Sequence, residues 1–193
     1  MLMGIPPHDY DVATDAKPED VMRLFHRVVP TGIAHGTVTV HLMGCHIETT
    51  TFRTESGYSD GRHPDSVAYA ASIEDDLSRR DFTMNAVAVD LADEKLVDPF
   101  SGRGDIKEKL IRAVGNPHER FGEDGLRPVR AIRFAQKVDD SFIVEFPRSS
   151  AQTADEASRL FLYLYCNYNL RNKAFVFKKE EVNRKTMYIF SSY

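Results

Sequence analysis

Two aspartates near the amino end are the first residues of this chain whose type and spacing suit chemistry. One residue separates Asp9 from Asp11, so in an extended segment both carboxylates lie on one face of the strand. Carboxylates about 6 to 7 Å apart suit Mg²⁺, which prefers oxygen ligands and keeps positions open for phosphate oxygens. The same pattern also occurs in solvated turns, and the preceding Pro6-Pro7 leaves that alternative open.

Further charged and amide side chains occur in three later segments: residues 79–86 (RRDFTMNA), 98–102 (DPFSG) and 120–127 (RFGEDGLR). Together with residues 9–11, 35–37 and 48–53, these segments resemble the head and the start of the neck of class II tRNA nucleotidyltransferases. That family contains the CCA-adding enzymes and the bacterial poly(A) polymerases. The resemblance extends from about residue 2 to about residue 138.

The resemblance implies a fold and a reaction. The expected fold is α+β, a nucleotidyltransferase-superfamily head with a mixed β-sheet and flanking helices, followed by a partial helical neck. The expected reaction is Mg²⁺-dependent, template-independent transfer of CMP or AMP from CTP or ATP to the 3′ end of tRNA, with release of pyrophosphate. Poly(A) synthesis by the same family is the alternative.

The same resemblance assigns the metal to the acidic pair. Asp9 and Asp11 would hold Mg²⁺, which activates the RNA 3′-hydroxyl and neutralises charge on the triphosphate. Glu48, on a neighbouring strand, is a candidate third carboxylate. A purely structural cross-strand role for Glu48 remains the alternative.

The segment around residue 80 would bind the nucleotide. In the family, the arginine at the position of Arg80 contacts the nucleotide, while the acid and the amide, here Asp81 and Asn85, bind ribose hydroxyls. A carboxylate accepts hydroxyl protons well. The alternative is that Arg79 and Arg80 form an exposed basic pair beside a helix cap.

The segment around residue 124 would select the base. Asp124 and Arg127 are three residues apart, a spacing that places them on one helix face. A carboxylate accepts from the exocyclic amine of cytosine or adenine, and a guanidinium donates to the adjacent ring acceptor, so the pair favours C and A. Arg130 and Arg133 continue the spacing and would line one groove facing phosphates. An ordinary solvated basic stripe is the alternative.

The resemblance also predicts what the chain lacks. Family members carry a Gly-Gly-x-Val-Arg-Asp element before the paired aspartates and are considerably longer at the other end. We therefore expect a head over residues 1–115 without its first strand, the start of a helical neck over 116–140, and a divergent aromatic and basic tail over 141–193. A non-catalytic nucleotide- or RNA-binding fragment is accordingly a second functional hypothesis, and the tail could also stack on RNA.

Hydrophobic periodicity predicts the elements that must position these residues. Pro18 and the apolar spacing after it predict a helix over 18–28, and β-branched alternation predicts a hairpin of residues 37–42 and 47–52. Residues 54–66 form a polar loop, either mobile near the site or a passive surface segment. The remaining predictions are helices starting near Ser72 and Asn116, helices over 104–110 and 126–138, and short strands over 86–91 and 95–97.

Composition excludes several classes of protein. With 193 residues, 42% hydrophobic, 28% charged and a net charge of −4, the chain is unlike disordered, collagen-like or membrane-spanning sequences. Its two cysteines are far apart and the start has no export signal, so we expect a reducing cytoplasm and no disulfide or structural zinc. None of the seven histidines has metal-ligand spacing with another. The aspartates are therefore expected to carry the site, and the sequence leaves the oligomeric state open.

Overall fold

A computed structural model describes residue 2 and residues 10–138, 142–145, 175–182 and 185–192. Asp9, one of the two predicted metal ligands, lies outside the described residues, as does most of the predicted tail over 141–193. None of the helices in the described part of the chain is long and apolar enough to cross a membrane.

A four-stranded mixed sheet forms the first half of the described chain. Its strands are β1 (Asp11–Thr14), β2 (Val28–Gly32), β3 (Thr37–Leu42) and β4 (Cys45–Thr51). They lie in the order β1-β4-β3-β2, with β1 parallel to β4 and the other pairs antiparallel. The predicted hairpin is confirmed. Its turn is Met43-Gly44, and both residues have positive φ, the conformation that a two-residue hairpin turn favours.

The first helix, α1 (Pro18–Leu24), covers one face of this sheet. Val21 of α1 packs with Val38 and Val40 of β3, all at most 3% exposed. The helix begins at Pro18 as predicted but ends four residues early, because residue 28 already starts the edge strand β2, which the periodicity did not predict. On the opposite face, called the open sheet face, the polar side chains of the described strands are exposed or half-buried: Asp11 of β1, Thr37, Thr39 and His41 of β3, and His46, Glu48 and Thr50 of β4.

The sheet is followed by short strands and helices, then by two further helices and three further strands. They are the hairpin β5 (Arg53–Ser56) and β6 (Ser66–Tyr69), α2 (Ile73–Ser78), the hairpin β7 (Ala88–Val89) and β8 (Leu96–Val97), α3 (Gly102–Lys107), β9 (Leu110–Ile111), α4 (Pro117–Glu123), α5 (Arg127–Val138), β10 (Ile143–Val144), and the antiparallel pair β11 (Phe175–Val182) and β12 (Lys185–Ser192). The predicted helix starts at Ser72 and Asn116 are confirmed: each caps its helix with a side-chain oxygen. The polar loop prediction is partly wrong, since its ends pair as β5 and β6 and only residues 57–65 form the loop.

A second core joins the later helices to the segment around residue 82. Phe82 is fully buried and packs in one cluster with Ile111 of β9 and Ala131 of α5. The rings of Phe121 and Phe134 lie 6.3 and 6.0 Å from the Phe82 ring. The α+β class with a mixed sheet and flanking helices is confirmed. The division of the chain at residue 116 stays a prediction, although α5 shares this core with the residues before that point.

Candidate functional site

The open sheet face carries two carboxylates side by side. Asp11 of β1 pairs in register with Glu48 of the parallel strand β4, and both side chains are exposed. Register partners in adjacent strands project to the same face of a sheet. Thr39 of β3 is the next partner of Glu48 across the sheet. The structure therefore places Glu48 beside Asp11, as the prediction of a third carboxylate requires.

These donors suit a hard divalent cation. Carboxylate oxygens are the ligands that Mg²⁺ prefers, and exposure leaves room for water and phosphate oxygens in the remaining positions. The described residues contain no cluster of three or more His, Cys, Asp or Glu side chains arranged to hold a metal ion. Asp9, which would complete such a set, is not among them. The residues present fit Mg²⁺ chemically.

Asp81 is the centre of a second polar cluster. Its Oδ1 accepts hydrogen bonds from the Phe82 backbone N–H at 2.8 Å and from Asn85 Nδ2 at 3.0 Å. Its Oδ2 accepts from Arg130 Nε at 2.9 Å and forms an ion pair with Arg130 Nη2 at 2.8 Å. Asp81 thus contacts both Asn85 and Arg130, two other predicted nucleotide-binding residues, although Arg130 lies 49 positions later in the chain.

Arg80 belongs to a neighbouring network built on Asp76, whose side chain is 1% exposed. Asp76 accepts from Arg80 Nη2 at 3.2 Å, from Arg79 Nε and Nη2 at 3.1 and 2.9 Å, and from the Arg53 backbone N–H at 3.2 Å. Burial lowers the pKa of the Arg79 guanidinium, and the Asp76 charge opposes that shift. In the described part of the chain, the buried Nε of Arg80 has no hydrogen-bond partner. Arg79 therefore has a structural role in this network. Arg80 is oriented by Asp76, and its Nε–H has no acceptor among the described residues.

The prediction that Asp124 and Arg127 share a helix face is wrong. Helix α4 ends at Glu123, and Asp124 has an extended backbone, with φ −140° and ψ 110°. Pro128 explains the break, because a proline inside a continuous helix lacks its N–H and clashes with the carbonyl four residues earlier, which here belongs to Asp124. Asp124 Oδ1 instead accepts from the Leu126 backbone N–H at 2.8 Å at the start of the next helix.

The three arginines of α5 do not line one groove as predicted. Arg127 is buried, and its Nη1 donates to the Arg120 carbonyl at 2.7 Å and to Glu123 Oε2. Arg130 is half exposed and pairs with Asp81. Arg133 is exposed and makes no ion pair with another described side chain. Only Arg130 and Arg133 remain accessible to a phosphate, because the first turn of α5 packs Arg127 against α4.

The loop between β5 and β6 lies against the junction of α4 and α5. The Gly125 N–H donates to the Gly61 carbonyl at 3.0 Å, and the Arg127 guanidinium lies 5.8 Å from the centre of the Tyr58 ring. The Tyr58 hydroxyl donates to Glu55 Oε2 at 3.0 Å, and burial, reinforced by the Glu55 charge, raises the pKa of Tyr58. The loop therefore touches Arg127, one of the two residues predicted to select the base, and Gly125, which follows the other, Asp124. Its predicted mobility stays a prediction.

Comparisons with known proteins agree with this architecture. The family model of the poly(A) polymerase head domain matches residues 1–112. The chain belongs to the poly(A) polymerase head domain family. A CCA-adding enzyme of Limosilactobacillus fermentum is 54% identical over 137 residues, which is 71% of this chain and 34% of that enzyme. The chain thus spans about a third of the length of such curated relatives.

Solved structures of related enzymes are also similar to this chain. The Bacillus stearothermophilus CCA-adding enzyme in complex with CTP superimposes with a TM-score of 0.63 at 46% identity, covering 69% of this chain and 31% of that one. A tRNA nucleotidyltransferase complexed with a primer tRNA and an incoming ATP analog superimposes with a TM-score of 0.59 at 30% identity, covering 83% of this chain and 44% of that one.

Several residues that shape the site of this head domain were absent from the sequence-based prediction. Asp76 orients Arg80, Glu123 binds both Arg120 and Arg127, and Tyr58 contacts Arg127. Helical spacing in the sequence could have indicated Asp76 and Glu123. Asp76 lies three residues before Arg79 and four before Arg80. Glu123 lies three residues after Arg120 and four before Arg127. Tyr58 had no such signal, since its contact depends on how a loop folds back.

Proposed function

We propose that this chain carries the nucleotidyl-transfer site of an RNA-modifying enzyme that adds CMP and AMP to the 3′ end of tRNA, forming CCA and releasing pyrophosphate. CTP and ATP are the proposed substrates and Mg²⁺ the proposed cofactor. The observation that carries the proposal is the register of Asp11 with Glu48 on the open sheet face. It gives the acidic surface that such a reaction needs, in a chain whose curated relatives are CCA-adding enzymes.

The proposed metal ligands are Asp9 and Asp11, with Glu48 as a third carboxylate. When bound there, Mg²⁺ would activate the RNA 3′-hydroxyl for in-line attack and neutralise charge on the triphosphate. The protein's part is to hold Asp11 and Glu48 on one face of a sheet whose other face packs against α1, so that the positions of these two carboxylates are fixed by strand pairing.

Arg80 and the Asp81 cluster are proposed to bind the triphosphate and the ribose. Asp81 already accepts three hydrogen bonds and forms an ion pair with Arg130 Nη2, so its carboxylate, with about four lone-pair sites, is surrounded by donors. A ribose hydroxyl can therefore bind to Asp81 only if one of these donors moves. Arg130 is the donor best able to do so, because its side chain is half exposed whereas Phe82 is fully buried. We propose that Arg130 turns toward the nucleotide phosphates when the ribose reaches Asp81.

Base selection is assigned to Asp124, Arg127, Arg130 and Arg133 with altered roles. Asp124 would accept from the exocyclic amine of C or A. Arg127, which is not on the same helix face, would instead position the segment that carries Asp124 through its contacts with Glu123 and Tyr58. Arg130 and Arg133 would face phosphates. The proposed units are a head over 1–115, the start of a helical neck over 116–140 and a tail over 141–193.

Incorporation of labelled CTP and labelled ATP, measured separately on tRNA that lacks its terminal CCA, tests the proposal. We expect CTP incorporation that requires Mg²⁺ and is lost in Asp11→Asn. Glu19→Gln, an exposed acid of α1, is the matched control and should retain activity. Incorporation of ATP alone would instead assign poly(A) synthesis. CTP binding without any transfer would favour the non-catalytic fragment hypothesis.

A further inference from the structure

Two histidines face each other on the same open sheet face. His41 of β3 and His46 of β4 are register partners in the antiparallel pair, and their ring centres are 4.3 Å apart with the planes tilted by 51°. His41 is two residues from Thr39 and His46 two from Glu48, so all four side chains belong to one face. Four residues separate the histidines in the chain, and the tight Met43-Gly44 turn brings the rings together.

Neither ring is used by the fold. The imidazoles of His41 and His46 make no hydrogen bond or ion pair with any other side chain that the structure describes. His63, by contrast, binds Asp60 through Nδ1 at 2.8 Å. His46 is exposed and His41 is half-buried, so an ion in water can reach both rings.

The geometry suits one metal ion between two imidazoles. With metal–nitrogen distances of about 2.0 Å, two nitrogens on a tetrahedral ion lie about 3.3 Å apart. The ring centres, now 4.3 Å apart, would have to separate by about 1 Å for both nitrogens to coordinate one tetrahedral ion, and rotations about χ1 and χ2 of these two side chains can supply that shift. Imidazole is a ligand for borderline cations such as Zn²⁺, Ni²⁺ and Cu²⁺, whereas Mg²⁺ prefers oxygen. The pair therefore selects a different class of cation from Asp11 and Glu48.

We propose that His41 and His46 form a surface binding site for a borderline divalent cation, Zn²⁺ in the first instance, with water in the open coordination positions. The site does not depend on the proposed nucleotidyl transfer. Its position, with His46 two residues before Glu48 on the same strand, adds a second consequence that does rest on the proposed function. A dication held there would stand about 7 Å along the strand from Glu48 and repel a metal at the carboxylates.

Calorimetric titration of the full chain with Zn²⁺, in a Cys45→Ser background that removes the neighbouring exposed thiol, tests the site. We expect one ion per chain and an affinity at least about tenfold weaker in His46→Gln. His63→Gln, which alters a histidine already engaged by Asp60, is the matched control and should bind within about twofold of the parent. Equal affinities in the two variants, or no saturable binding in the parent, would overturn the proposal.

The histidine ring signals in an NMR titration give an independent readout. Zn²⁺ should shift the ring protons of both His41 and His46 at one equivalent and leave those of His118 unchanged. Shifts confined to His63 would place the ion beside Asp60 in the loop between β5 and β6, and would reject the proposed site at His41 and His46. Because neither measurement uses tRNA or CTP, failure here is distinct from failure of the proposed reaction.

Discussion

Asp81 and Arg130 join two parts of the chain through one carboxylate oxygen, which accepts a hydrogen bond from Arg130 Nε at 2.9 Å and forms an ion pair with Nη2 at 2.8 Å. Asp81 lies in the segment between α2 and β7, and Arg130 lies in α5. Any change of position of α5 therefore alters the donors around Asp81. This contact links the proposed ribose contact to the helix proposed to face the phosphates.

Asp81→Asn tests that link directly. Replacing the carboxylate removes the proposed acceptor of the ribose hydroxyl, and we expect CTP affinity to fall on the order of tenfold, the size of a lost charge-assisted hydrogen bond. Calorimetric CTP binding measures the effect, with Glu19→Gln as the unaffected control. Arg130→Gln should cause a similar loss through the phosphates, and the double variant should lose at least the sum of the two, because the proposed complex replaces the Asp81–Arg130 contact with two separate contacts to the nucleotide. A double variant little worse than either single one would show that the two residues still act as a pair when CTP is bound.

Asp76 should be essential for stability. Its carboxylate is 1% exposed and pairs with Arg79 and Arg80, so Asp76→Ala leaves Arg80 without its carboxylate partner and Arg79 with Glu55 alone. We expect the free energy of unfolding to fall by about 3 to 5 kcal/mol, measured by urea denaturation. Glu74→Ala, an exposed acid in the same helix, should change it by less than about 0.5 kcal/mol. A small effect at Asp76 would mean that the buried network is not formed.

Arg127 cannot be replaced by lysine without loss. Its guanidinium is buried, donates to the Arg120 carbonyl and Glu123, and stacks on Tyr58, a geometry that an ammonium group cannot reproduce. Arg127→Lys should lower the free energy of unfolding by about 1 to 3 kcal/mol. Arg133→Lys, on the exposed side of the same helix, is the control. Equal stability of the two variants would contradict the buried position of Arg127.

The loop between β5 and β6 has a measurable response to acid. Hydrogen bonds from the His63 backbone, the His63 ring and the Arg62 backbone lower the pKa of Asp60 from 3.8 to about 2. Because the folded-state pKa is depressed, the stabilisation that Asp60 gives to the loop is present above pH 3.8 and is lost as the pH falls toward about 2.

Carbon-detected NMR titration of the Asp60 carboxyl should find this low midpoint. His63→Ala should raise it only partway, since the backbone bonds remain. The pKa of Asp93, which hydrogen bonds from Lys95 also lower, should not move in that variant. An Asp60 midpoint at the ordinary value in the parent chain would contradict the described loop.

Much of the fold could be predicted from local pattern. The hairpin of β3 and β4, the start of α1 at Pro18 and the caps at Ser72 and Asn116 each depend on residues close together in sequence. The edge strand β2 could not be predicted in this way, because Val28–Gly32 contains Pro30 and no alternation of apolar and polar residues. Its extended conformation depends on pairing with β3.

The site divides in the same way. Residue types and order predicted which carboxylates, amides and arginines belong to the proposed site, since these are the donors and acceptors that a nucleotide needs. Only the tertiary structure decided which of them meet. In the fold, Glu48 lies beside Asp11, Arg130 rather than Arg127 binds Asp81, and the ring of His41 contacts that of His46. The physical reason is that strand register and helix breaks fix these neighbours, and neither is visible in the spacing of residues along the chain.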